Sequence, residues 1–280
     1  MTMQFDFRQV DVFTPVALKG NPLAVVLAAD GIGDEQMARF ANWTNLSETT
    51  FLLQPTQARA DYRVRIFTPA RELPFAGHPT LGSCHVWLGA GGRPKGEHVV
   101  QECGVGLVRL RRDGKRLAFA APPLRRSGPV EAETLQQIAR ALRVQPGAIR
   151  ASNWCDNGPG WVAVMLGSRA EVLALKPDFA AMGDLALGVV GPWQAGDGKD
   201  AEFEVRAFVA GLGVKEDPVT GSLNAGLGQW LIGAGLAPSR YVVCQGTALG
   251  RDGRVHVEKI GGDVWIGGET VTCIEGRVTL

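Results

Sequence analysis

Three side chains in this sequence could hold or move a proton at a small-molecule site: Glu48, His78 and Asp217. His78 lies in Phe75-Ala76-Gly77-His78-Pro79-Thr80, which runs straight into a helical pattern. A proline in the first turn costs no hydrogen bond, so a helix is expected from Pro79 to Leu88. Asp217 lies in Glu216-Asp217-Pro218-Val219-Thr220-Gly221-Ser222, which also runs into a helical pattern, expected from Pro218 to Ile232. A helix start exposes unpaired N–H groups and about half a positive charge. Both stretches therefore suit a small anion such as a carboxylate.

Each residue has a plainer reading beside the chemical one. His78 is a helix cap or a packed surface histidine, or else a neutral ring that orients a substrate group, since a helix N-terminus opposes its protonation. Asp217 is an N-cap, or a ligand for substrate. Glu48 precedes the apolar run Thr49-Thr50-Phe51-Leu52-Leu53. It is an exposed carboxylate at a strand end, or a general base tuned by partial burial. Thr220 and Ser222 are helix-turn hydroxyls or carboxylate ligands, and Gly77, Thr80 and Gly221 stand at the same helix starts.

The elements that must position these groups follow from pattern. Alternation predicts strands over 4–13, 23–28, 62–67, 97–102, 104–111 and 115–120, the last two joined at Asp113-Gly114. Asp34 is read as the N-cap of a helix through Asn42 that buries Met37, Phe40 and Ala41. Pro122-Pro123 and the polar residues 125–128 read as a linker, which divides the chain into domains 1–122 and 123–280, with the last strand crossing back to the first domain. A helix over 131–143 opens the second half. Strands near 148–154 and 161–166, a weaker helical region over 168–187, and strands over 188–194, 202–209, 240–246, 254–260, 263–266 and 270–279 complete it.

The two halves repeat. Tyr62–Phe67 (YRVRIF) resembles Phe203–Phe208 (FEVRAF), and His78-Pro79 matches Asp217-Pro218 at a spacing of 139 residues, as do Gly82-Ser83 with Gly221-Ser222 and Leu88 with Leu227. A duplication of this kind predicts two similar domains whose helix N-termini face a shared cleft.

Composition narrows the class. The 280 residues are 45% hydrophobic and 20% charged, ordinary for a globular protein, and a net charge of +1 gives no field for nucleic acid or an anionic membrane. Glycine is abundant at 37 residues, which suits a turn-rich, strand-rich fold. Five widely spaced cysteines without a CxxC favour neither a disulfide framework nor a zinc site and point to the cytoplasm. There is no signal-peptide pattern, no apolar run long enough to span a membrane, no phosphate-binding loop and no nucleophile elbow. No metal-ligand spacing appears among the four histidines.

At these residues the chain resembles the PhzF family of phenazine-biosynthesis-like isomerases. The similar blocks are VDVFT (10–14), GNPLAVV (20–26), NLSETTFLL (45–53), VRIFTPARELPFAGHPTLGS (64–83) and GVKEDPVTGSLNAGLGQWL (213–231), in the family's order. The resemblance implies an α+β, diaminopimelate-epimerase-like fold of two pseudo-symmetric domains, each a curled, mostly antiparallel sheet around a central helix. It places the family's catalytic carboxylate on Glu48, its histidine on His78, its aspartate on Asp217 and its serine on Ser222. It further implies a homodimer that isomerises trans-2,3-dihydro-3-hydroxyanthranilate without any cofactor. In that mechanism Gly77-His78 and Gly221-Ser222 bind the substrate carboxylate, Glu48 relays the proton, and His78 and Asp217 hold the amine and hydroxyl. Racemases and epimerases of the same fold use a cysteine at each central helix start, where His78 and Asp217 stand here. A racemase or epimerase, and an idle carboxylate-binding dimer, are the competing readings. Substrate choice is expected to rest on loops 125–128, 155–160 and 191–200.

Overall fold

The computed structural model describes residues 3–209 and 214–280. They form two compact units, Met1–Ala120 with Gly267–Leu280, and Ala121–Ile266.

The first unit contains β1 (Gln4–Val12), β2 (Asn21–Val26), α1 (Asp34–Thr44), β3 (Glu48–Leu53), β4 (Tyr62–Phe67), β5 (Glu72–Leu73), α2 (Gly77–Gly89), β6 (Val99–Cys103), β7 (Gly106–Asp113) and β8 (Arg116–Ala120). The second contains β9 (Arg126–Gly128), α3 (Ala132–Leu142), β10 (Ala151–Asp156), β11 (Trp161–Met165), α4 (Arg169–Ala174), α5 (Phe179–Met182), β12 (Ala186–Pro192), β13 (Phe203–Val209), β14 (Val214–Asp217), α6 (Gly221–Gly233), β15 (Arg240–Gln245), β16 (Gly253–Ile260) and most of β17 (Asp263–Gly268). The chain then returns to the first unit as β18 (Thr270–Thr279).

Within each unit the strands pair in the same pattern. In the first, β1 lies antiparallel between β18 and β2, β2 parallels β3, β3 opposes β4, β4 parallels β6, and β7 opposes both β6 and β8. In the second, β10 lies antiparallel between β9 and β11, β11 parallels β12, β12 opposes β13, β13 parallels β15, and β15 opposes β16. The short strands β5 and β14 pair antiparallel with β4 and β13.

Both sheets are built around a helix that the sequence makes apolar or small on every side. Such a helix has no face for water and must be buried. In α2, residues from Gly77 through Cys84 and Val86 are buried, and in α6 the run from Gly221 through Gly228 and Leu231. The helix α2 contacts β1, β2, β3, β4, β6, β8 and β18, while α6 lies against β10, β11 and β16. Its sixth residue, Gly82, sits where a Cβ would meet Leu23, Val12 and Val10; the sixth residue of α6, Gly226, lies against Cys155 of β10. Satellite cores pack α1 against the first sheet through Met37, Phe40 and Ala41, and α3, α4 and α5 against the second through Ile138, Val172 and Met182.

Several expected boundaries move. Asp34 is the first residue of α1, and its N-cap is Gly33. There Asp34 and Glu35 favour the helix through the dipole at its first turn. Residues 126–128, expected in a linker, form β9 and pair with β10. The expected helical region 168–187 resolves into two short helices and the start of β12. Among the described residues, no helix is long and apolar enough to cross a membrane.

Candidate active site

In the first unit, Glu48 opens β3 and His78 is the second residue of α2. Parallel pairing sets Leu23 of β2 opposite Glu48, which brings the neighbouring Asn21 and Pro22 to the start of α2. His78 is 3% exposed, and Glu48 Oε2 lies 3.4 Å from its Nε2. That separation is at the loose end of hydrogen-bond reach, as is common before substrate binds. On the other edge of the ring, Asn21 Nδ2 lies 3.3 Å from Nδ1, and Asn21 is fully buried. In the tautomer whose Nδ1 accepts, the ring proton is on Nε2, on the Glu48 side; in the other, Nδ1 carries the proton and Nε2 is the acceptor. Burial holds the imidazole down to about 3, against a smaller upward pull from the Pro22 carbonyl. The expected neutral ring is therefore produced chiefly by loss of solvent, and only secondarily by anything at the helix end. Its helix-cap reading does not hold either: the N-cap is Ala76, with no side-chain cap.

In the second unit, α6 begins at Gly221 with Thr220 as N-cap, so the helix expected from Pro218 starts three residues later. Asp217 is the last residue of β14, opposite Ala207, and is not an N-cap. Its Oδ2 accepts a 2.6 Å hydrogen bond from Thr220 Oγ1. Ser222 Oγ accepts from Trp161 Nε1 at 3.0 Å, which leaves the serine proton to donate. Asn157 donates to the Ser222 carbonyl at 2.8 Å, so the loop 155–160 reaches the start of α6. The sequence block that begins at Gly213 is described from Val214 onward.

These starts change the register of the repeat. Gly77 and Gly221 are the first residues of equal 13-residue helices, 144 positions apart. His78 then corresponds to Ser222, Gly82 to Gly226, and Leu73 of β5 to Asp217 of β14. The 139-residue register, which equated His78 with Asp217, placed the two helices more than a turn out of step.

The candidate residues sort accordingly. Glu48 meets His78, Asp217 meets Thr220, and the N–H groups of Gly77, Gly221 and Ser222 stand at helix starts. Thr80 is fully buried and its hydroxyl is consumed by the fold, donating to the Ala76 carbonyl at 2.9 Å. Asn21, Asn157 and Trp161 complete the two settings and were not singled out from the sequence; only the turn signal Gly20-Asn21-Pro22 marked the first. Among the described residues, no group of three or more His, Cys, Asp or Glu is placed to hold a metal ion.

Known proteins are similar to this chain along almost its whole length. A family model described as phenazine biosynthesis-like protein matches residues 10–276. A curated fission-yeast (Schizosaccharomyces pombe) protein, antisense-enhancing sequence 1, is 35% identical over 98% of each chain. The trans-2,3-dihydro-3-hydroxyanthranilate isomerase of Pseudomonas aeruginosa is 34% identical over 95% of this chain and 92% of its own. The crystal structure of a PhzF-family phenazine biosynthesis protein from Enterococcus faecalis superimposes with a TM-score of 0.81 at 26% identity, covering 99% of this chain and all of that one.

Proposed function

The chain belongs to the phenazine biosynthesis-like family of isomerases, and from that premise we propose that it moves a proton, and with it a double bond, within a small carboxylic acid by acid–base catalysis without a cofactor. The observation that carries this reading is the Glu48 carboxylate set 3.4 Å from the buried, neutral ring of His78.

In the proposed step Glu48 takes a proton from a substrate carbon. The electron pair left behind delocalises into the adjoining π-system, and Glu48 returns the proton to another carbon, so atoms and charge balance. His78, uncharged at neutral pH, is assigned to a substrate heteroatom beside Glu48. Asp217 is assigned to a substrate amine or hydroxyl. The first-turn N–H groups of Gly77 and His78, and of Gly221 and Ser222 with its hydroxyl, are assigned to the substrate carboxylate. Proton transfer by a placed side chain contributes about 10²–10⁴-fold, and orientation supplies much of the rest.

The first compound to test is trans-2,3-dihydro-3-hydroxyanthranilate, the substrate in the Pseudomonas relative's name. NMR in D₂O should show product formation with solvent deuterium at the reprotonated carbon. Glu48→Gln keeps the side-chain shape and should slow the reaction by about 10²–10⁴-fold. Wild-type turnover in that variant would remove Glu48 from the role of base. The proposed assembly is a homodimer, checked by light scattering. The proposed compartment is the cytoplasm, with which five free thiols accord.

A further inference from the structure

Behind the helix start of the second unit is a buried glutamine that the reaction above does not use. Gln245, the last residue of β15, is 0% exposed, and its amide makes four hydrogen bonds. Its Oε1 accepts from the Thr220 backbone N–H at 3.0 Å and from Asn224 Nδ2 at 2.9 Å. Its Nε2 donates to the Asp217 backbone carbonyl at 3.1 Å and to Thr220 Oγ1 at 2.9 Å. A backbone N–H can only donate and a backbone carbonyl can only accept, so these two partners fix which end of the amide is which. Thr220 Oγ1 thus accepts a hydrogen bond from Gln245 and donates its own to Asp217 Oδ2, 2.6 Å away. The hydrogen bonds run one way, Gln245 to Thr220 to Asp217, and the last has the length of a hydroxyl bonded to a carboxylate.

We infer that Gln245 is a positioning residue for the isomerase reaction: through the Thr220 hydroxyl it fixes the orientation of the Asp217 carboxylate and keeps one of its oxygens hydrogen-bonded. This rests on the role proposed for Asp217 above. It also reassigns Thr220, whose hydroxyl has its one proton committed to Asp217 and cannot give it to a substrate carboxylate.

The first unit supplies an internal comparison. Gln101 of β6 lies 144 positions before Gln245 and is also 0% exposed. It donates to Thr80 Oγ1 at 3.0 Å and accepts from the Tyr62 hydroxyl at 2.9 Å. At the same spacing Thr80 matches Asn224 and Ala76 matches Thr220, and the Thr80 and Asn224 side chains donate alike to the Ala76 and Thr220 carbonyls. No hydroxyl and no carboxylate stand where Thr220 and Asp217 do, because Ala76 and Leu73 hold those places: Leu73 lies opposite Ile66 of β4 as Asp217 lies opposite Ala207 of β13. A buried glutamine at this position serves the fold in one unit and, in the other, is coupled to a carboxylate.

The test is a carboxyl-¹³C NMR titration of Asp217 in the wild-type chain and in Thr220→Val, Gln245→Met and Gln101→Met. Charged residues near Asp217 include Lys215 and Glu216 on its own strand, Arg206 of β13, which is ion-paired to Glu216, and Arg251, which packs beside Pro218; all four are untouched. A carboxylate that loses a donor ionises less readily, so Asp217 should titrate at higher pH in Thr220→Val and Gln245→Met and as wild type in Gln101→Met. With a turned-over substrate, kcat should fall about tenfold in both variants with KM near wild type, and the double variant should be no worse than Thr220→Val alone. A folded Gln245→Met protein with wild-type titration of Asp217 overturns the inference. If that variant does not fold, unchanged titration in Thr220→Val overturns it. Absence of turnover in the wild-type chain would instead remove the proposed reaction and leave the titration result standing.

Discussion

Replacing Gly226 by alanine tests how tightly the second central helix is held. The new Cβ would fall inside the contact radius of the Cys155 carbonyl oxygen and 2.9 Å from Cys155 Cβ, where ordinary contact begins near 3.4 Å. The obstacle is backbone, and β10 is held on both sides by β9 and β11, so it cannot yield as a side chain would. Helix and strand must separate by about 0.5–1 Å, in the range where overpacking costs about 1–3 kcal/mol. Alanine's better helix propensity returns about 1 kcal/mol. The expected net loss is about 1 kcal/mol, a fall in Tm of roughly 2–4 °C for a unit of this size. The same shift displaces the N-terminus of α6, and a misplacement approaching 1 Å can cost on the order of 10²-fold in rate. Thermal and urea melts followed by circular dichroism, with turnover measured alongside, give both numbers. Gly233→Ala, at the open end of the same helix with nothing within 4 Å, should be neutral or stabilising by up to about 1 kcal/mol. If Gly226→Ala is as stable and active as Gly233→Ala, the close approach of α6 to β10 is not a constraint and the reasoning fails.

Other outcomes follow from the first unit. Because burial holds folded His78 near 3 while the unfolded ring titrates near 6.5, both states are neutral above 6.5 and only the unfolded state gains the proton below it. Stability should therefore fall as pH drops from about 6.5 towards 3, by at most about 1.4 kcal/mol per pH unit from this group; urea midpoints of His78→Asn should show a shallower decline, and equal slopes would refute the assignment. Asn21→Asp should fix the ring proton on Nδ1 by accepting from it, leaving a lone pair on Nε2 towards Glu48 and lowering kcat by about 10²-fold or more; unchanged kcat would mean that a proton on Nε2 is immaterial. Cys84 is buried in the middle of α2, with its thiol pushed up to about 12 by burial, so Cys84→Ser should keep turnover within about twofold if it folds. A two-thiol racemase would lose its activity there, and such a loss in a folded variant would revive that alternative.

Much of this architecture is legible in the sequence because its signals are local. Alternation placed Tyr62–Phe67 at its observed bounds, and the periodic face of Met37, Phe40 and Ala41 is the face that α1 buries. The helix starts were harder. Asp217-Pro218 has the composition of a cap and first turn, yet pairing with β13 draws Asp217 into a strand and leaves Pro218 and Val219 in a bend. Proline at the third position of α2 is tolerated because no carbonyl precedes it by a turn within the helix, so Gly77 and His78 are already helical. The repeat was misaligned for a related reason: Gly-Ser occurs in both helices, but a turn apart, whereas the matching glycines, 82 and 226, are defined by what they touch. Gln101 and Gln245 gave no signal, since an isolated glutamine in a strand looks exposed until the helix that it supports is in place. The Glu48–His78 pair likewise required the parallel pairing of β2 with β3, which sequence spacing does not encode.

The strand order of the first unit has a consequence for how the protein is made. β1, from the start of the chain, is sandwiched between β2 and β18, and its partner residues run from Gln4 with Thr279 to Val12 with Thr270. A ribosome therefore releases the whole of the second unit before it supplies the strand that covers β1. During that interval β1 has a bare edge, the feature by which nascent sheets pair with the wrong chain. Contacts of this sequence separation also form late and slowly. The second unit, continuous in sequence, can mature first, while the first waits for β18 to be translated.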